Sequence, residues 1–127
     1  MWSFIVRMIV VALRAATTNT VRVAAFGRIA FVGLIKNRPL VELTQQEIRN
    51  AFAKVGLREA HNSHFISRLV ERGPQLGIQT LDDFARALNN GVARVGSQAG
   101  TIQIVIPNGR AFIVMNEAGE LITLTYL

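Results

Sequence analysis

The hydrophobic periods along this 127-residue chain predict an α+β fold, with N-terminal helices packed on an antiparallel sheet of three to four strands. Two observations carry that prediction. Between residues 44 and 90 apolar side chains recur at helical spacing, and after residue 91 the period drops to two. The turn sequences Pro107-Asn108-Gly109 and Asn116-Glu117-Ala118-Gly119-Glu120 then cut the second part into successive strands.

The elements follow in order. Asn37-Arg38-Pro39 marks a boundary, because proline disfavours helix in the residue before it. Thr44-Gln45-Gln46-Glu47 has the form of a capping box, followed by Ile48, Phe52 and Val55 on one face and by Gly56 as a stop. A second helix starts at Asn62 or Ser63 and ends at Gly73-Pro74, burying Phe65, Ile66, Leu69 and Val70. A third begins after Thr80, with Asp83 at its third position, and buries Leu81, Phe84 and Leu88 before Asn89-Asn90-Gly91. Val92–Val95 reads as a short strand, Thr101–Ile106 and Arg110–Met115 as a hairpin, and Leu121–Leu127 as a final strand.

Charge divides the chain differently. Residues 1–41 hold six cations (Arg7, Arg14, Arg22, Arg28, Lys36, Arg38) and no acid, while residues 42–127 hold eight of each sign. The net charge of +6 therefore belongs wholly to the first third. That third is also strongly apolar, yet Arg7 interrupts its first apolar run, unlike a signal peptide, and its uncharged runs fall short of the ~20 residues a span needs. On a helical wheel Arg7, Arg14, Arg22, Arg28 and Lys36 fall within an arc of roughly 120°. Thr17-Thr18-Asn19-Thr20 divides the segment into two such helices. They either pack on the neutral domain with their arginines in solvent or act as a membrane-contacting delivery segment. The absence of cysteine excludes disulfides, thiolate metal sites and a cysteine nucleophile.

Candidate chemistry lies in the neutral domain. His61 and His64 stand three apart, but no third ligand lies within a turn and Glu59 is the nearest carboxylate, so no metal site is expected. His64, Arg68 and Arg72 recur at every fourth position and project from one helix face, drifting about 40° per step. Such a row is either a solvated basic face or a phosphate site. Cleaving RNA without a metal needs a base for the 2′-hydroxyl, a cation for the pentacovalent phosphate and an acid for the leaving oxygen. Histidine can serve in either proton-transfer role, and arginine provides a forked phosphate donor. Strict alternation puts Thr123 and Thr125 on one face of the last strand with Leu121 and Leu127, and Ile122, Leu124 and Tyr126 on the other. The threonines, Tyr126 and Arg110 are candidates to assist at a phosphate or ribose, although threonine is also simply a favoured strand residue.

The helix Ser63-His64-Phe65…Arg68…Glu71-Arg72-Gly73 resembles the Ser-x-His…Arg…Glu-Arg-Gly helix of small toxin domains in the barnase–EndoU–colicin–RelE (BECR) group of ribonucleases. The likeness continues through Gly77-Ile78-Gln79-Thr80, Asp82-Asp83 and Asn90-Gly91. Two departures accompany it: the serine directly precedes the histidine, and Pro74-Gln75-Leu76 is inserted before Gly77. The resemblance covers about residues 43–127, leaving residues 1–41 as a separate basic segment. It implies N-terminal helices on a four-stranded antiparallel sheet and a metal-independent, cofactor-free RNA endonuclease cutting tRNA. By position it carries over only His64, Arg68 and Arg72 as catalytic residues; on the reading of the residues themselves, Thr123, Thr125 or Tyr126 would assist, His61 would be the reserve acid or base, and His61 and Arg110 would contact substrate. The resemblance further implies a polymorphic-toxin effector of contact-dependent inhibition, delivered into a target cell's cytoplasm, neutralised by a cognate immunity protein and in some cases assisted by a host factor. The competing expectation is a non-catalytic membrane-active or binding protein working through residues 1–41.

Overall fold

The computed structural model describes residues 20–22 and 29–127. Its class is α+β, as predicted. Helices α1 (Gln45–Lys54), α2 (His64–Arg72) and α3 (Leu81–Asn89) pack on one side of a sheet. The sheet contains β1 (Thr20–Arg22), β2 (Arg58–Glu59), β3 (Val92–Val95), β4 (Thr101–Val105), β5 (Ala111–Asn116) and β6 (Glu120–Tyr126) in the order β1-β3-β4-β5-β6-β2. The expected antiparallel meander is present as β3 to β6. The sheet is nevertheless larger than three to four strands and is mixed, because β2 joins β6 in parallel while β1 joins β3 antiparallel. These two edge strands are three and two residues long, too short to leave a period in the sequence.

Local chemistry explains the helices. Thr44 and Glu47 form the complete capping box: the Thr44 hydroxyl accepts from the Glu47 N–H, and the Glu47 carboxylate accepts from the Thr44 N–H. That second bond holds the Glu47 carboxyl below its ordinary range, aided by the Thr44 hydroxyl and nearby Arg38. At α3, Thr80 accepts from the Asp83 N–H while Asp83 accepts from the Gln79 N–H. After α2 the chain makes one 3-10 turn, Gly73–Leu76, instead of stopping. A Cβ on Gly73 would lie 2.8 Å from the Ile78 carbonyl oxygen, so only glycine fits there.

The core lies between helices and sheet. Phe31, Phe52, Phe65 and Phe84 form an aromatic cluster with centroids 5.5–6.5 Å apart. From the sheet, Ala93, Ile104, Ile113 and Leu124 stand in one register row and are fully buried. Residue 41 is not a boundary of this core, since Ile29, Phe31 and Leu40 pack within it. The buried Asn89 side chain fixes the incoming chain, donating to the Ile29 carbonyl and accepting its N–H, both at 2.8 Å.

The expected pair of helices in residues 1–41 falls largely on residues 1–19 and 23–28, outside the described residues. Where the chain is described, the expectation is corrected: Thr20–Arg22 is a strand, and Leu34–Asn37 is a single 3-10 turn. Arg22 and Lys36 therefore do not belong to one continuous helical stripe. Antiparallel pairing with β3 explains the first, and the positive φ of Gly33 together with Pro39 confines the second.

Candidate functional site

Helix α2 packs on β6 through Phe65, Ile66 and Leu69, none of which is exposed. Its outer side carries the predicted row. His64 is exposed, and among the described residues neither its imidazole nor that of exposed His61 has a partner. Arg68 is half-buried and lies 3.5 Å from the Glu71 carboxylate. Arg72 is more committed. Its Nη1 donates to the Leu124 carbonyl at 2.7 Å, its guanidinium lies 5.3 Å from the Tyr126 ring centroid, and its Nε is 3.8 Å from Glu71. Eight residues separate His64 from Arg72, about 12 Å along the axis, so one phosphate cannot touch both ends of the row.

The start of α2, and with it the position of His64, is fixed unusually. Ser63 stands at φ 62°, in the left-handed region, and its hydroxyl makes no capping bond. It accepts from Arg49 Nη2 at 2.6 Å instead. The cap is supplied by Glu59 on β2: Oε2 accepts the Ile66 N–H at 3.0 Å, while Oε1 lies 3.5 Å from Arg49 Nε. With only 5% of its side chain exposed, Glu59 is a buried carboxylate satisfied by a helix N-terminus and one arginine. Among the described residues no three His, Asp or Glu converge as a metal site. Sequence spacing gave no sign of this clamp beyond the nearness of Glu59 to the histidines.

The end of β6 gathers a second group. The Tyr126 hydroxyl donates to Gln75 Oε1 at 3.1 Å, a residue of the inserted Pro74-Gln75-Leu76. Arg110 lies in the turn just before β5: its N–H donates to Asn108 Oδ1 at 2.9 Å, and its carbonyl accepts from the Leu127 N–H. Thus Arg72 and Tyr126 meet, Arg110 stands at the neighbouring strand end, and His61 and His64 lie at the opposite end of α2.

Thr123 and Thr125 do not join them. A register shift leaves Ile122 as an extra residue, with Val114 opposite Thr123 but Met115 opposite Leu121. The bulge overturns the strict alternation expected for this strand. Leu121 shares the buried face with Leu124, and both threonines lie on the outer face, across the sheet from α2. They flank β6 from the side opposite the histidine row. Their outer-face neighbours include Phe112, opposite Thr125, and in the next row Val114, Gln103 and Arg94. Sequence reading passed over Arg94, Gln103 and Phe112, whose association depends on strand register. Comparison of the chain with protein-family models, curated proteins and solved structures finds no match.

Proposed function

We propose that the chain is a metal-independent RNA endonuclease. The observation that carries this reading is the exposed pair His61 and His64 at the start of α2, with Arg68 one turn further along the same face. An imidazole takes or gives a proton near neutrality, and an adjacent guanidinium stabilises charge on the phosphate being cleaved. In this reading His64 is the proton-transfer group, His61 the second acid or base, and Arg68 the phosphate ligand. Arg72 is a positioning residue, because its guanidinium already donates to the Leu124 carbonyl and lies over the Tyr126 ring. Tyr126 and Arg110 then stand where the substrate strand leaves the helix. The sequence resemblance to BECR toxins extends the proposal to tRNA as substrate, an immunity protein as partner and action in a target cell's cytoplasm. The test is cleavage of total tRNA in EDTA. The wild type should yield discrete fragments, and His64→Ala should yield none. Cleavage lost in EDTA, or undiminished in His64→Ala, overturns the mechanism.

One observation favours the alternative, a membrane-contacting protein. Val32, Leu34 and Val41 are 69%, 87% and 67% exposed, and Lys36 and Arg38 fall between them. Exposed aliphatics interleaved with cations suit an anionic bilayer surface. No helix among the described residues is long and apolar enough to cross a membrane. This reading expects co-sedimentation with anionic vesicles that is lost when Val32 and Leu34 become serine.

A further inference from the structure

The outer face of the sheet has chemistry that the histidine row does not use. Arg94 on β3 lies across β4, its Nε donating to Gln103 Oε1 at 2.6 Å and its guanidinium 5.4 Å from the Phe112 ring centroid on β5. The next strand contributes Thr125, opposite Phe112, and Thr123, opposite Val114. Among the described residues neither threonine hydroxyl has a partner. Strands β3 to β6 contain a single acid, Glu120, whose carboxylate accepts from Asn116 at 2.9 Å and lies 3.7 Å from Arg58. The face therefore offers one aromatic plane, one immobilised guanidinium, an amide and two hydroxyls without a partner among the described residues, with no unpaired carboxylate on these strands to repel an anion.

We infer that this face is a platform for single-stranded RNA, with unpaired bases stacking at Phe112 and Arg94 while Gln103, Thr123 and Thr125 bond base edges and ribose. Covering apolar Val105 and Phe112 with the arginine stem would account for the stacked pair alone. It does not account for free hydroxyls beside that pair or for the neutralised acid. An aromatic ring and a guanidinium plane on one sheet accept any base face, and they demand that the base be unstacked. A duplex hides those faces, so the geometry selects single strands, loops and tails. As the substrate surface of an RNase this inference rests on the nuclease reading, but its binding test does not.

The experiment uses the full chain carrying His64→Ala, so that any cleavage is suppressed, and a fluorescein-labelled ten-nucleotide uridine RNA followed by anisotropy at low salt. The expected result is saturable binding, weaker to a ten-base-pair RNA duplex. Phe112→Leu and Arg94→Gln should each raise Kd about 10-fold, the usual order for losing one stacked base. Thr125→Val, which keeps the shape of the strand, should raise it about 3-fold, as expected for one hydrogen bond. Circular dichroism and thermal melting establish that each variant is folded; should Phe112→Leu melt, Arg94→Gln and Thr125→Val decide. Absence of binding, preference for the duplex, or unchanged affinity in the folded variants overturns the platform. Binding with these losses, alongside a wild type that cuts no RNA, overturns the nuclease reading and leaves the platform standing.

Discussion

Replacing Glu59 with alanine tests whether one buried carboxylate organises the start of α2. Two interactions disappear together. The Ile66 N–H loses a charged acceptor at 3.0 Å, and Arg49 loses the anion 3.5 Å from its Nε. Loss of a helix cap costs about 1 kcal/mol, and a hydrogen bond to a charged acceptor runs to about 1.5–3. Breaking a buried ion pair can cost about 3–5 kcal/mol by stranding the survivor, but that range is too high here. The Arg49 side chain is 36% exposed and keeps Ser63, so water and the hydroxyl recover part of the loss. The expected destabilisation is about 2–3 kcal/mol, read as a lowered urea midpoint at unchanged slope. Glu59→Gln keeps an acceptor for the Ile66 N–H and should lose about half as much. Pairing Glu59→Ala with Arg49→Ala should show a coupling of about 1 kcal/mol. A Glu59→Ala midpoint within error of the wild type would refute the clamp.

Other outcomes follow from the same geometry. Asn89→Ala removes both bonds to Ile29 and should cost about 2–3 kcal/mol in denaturant melts, since the Ile29 N–H and carbonyl lose their buried partner. Arg72→Met gives up the Leu124 carbonyl and the Tyr126 ring and should cost about 1–2 kcal/mol, with faster amide exchange confined to the end of β6. Gly73→Ala forces a methyl against the Ile78 carbonyl oxygen at 2.8 Å and should lower the urea midpoint by about 1–3 kcal/mol equivalent. Because the Glu47 carboxyl titrates below its ordinary range in the folded chain, its capping contribution is present above the unfolded value and fades as pH falls through the folded one. Melting curves from neutral pH into the acid range should therefore lose a component in the wild type that Glu47→Gln lacks.

Helices α1 and α3 were readable because their start signals act within one turn. Thr44 with Glu47 and Thr80 with Asp83 are pairs three residues apart, and Pro107-Asn108-Gly109 is a turn signal contained in three consecutive residues. The edge strands were not readable, since Arg58 pairs with Glu120 and Thr20 with Arg94 only after the chain has folded back. The row of His64, Arg68 and Arg72 was legible as a face but not in its commitments: nothing local indicates that Arg72 reaches Leu124. Alternation kept the threonines opposite Leu124 but placed Leu121 on their face, for a physical reason. Alternation assumes one residue per partner, and Ile122 breaks that rule without any glycine to mark it. Arg94 and Phe112 are eighteen residues apart in sequence, and only the β3-β4-β5 register brings them together.

The cap borrowed from β2 also ties the start of α2 to the far end of the sheet. Ser63 makes no capping bond for its own helix, and Glu59 serves from a strand whose ladder partner is β6, sixty-two residues downstream. A chain that extends only as far as α3 holds the histidines and Glu59 but not the strand with which β2 pairs. The backbone that carries the histidines is thereby linked, through Glu59 and a two-residue ladder, to a strand that no signal near them announces.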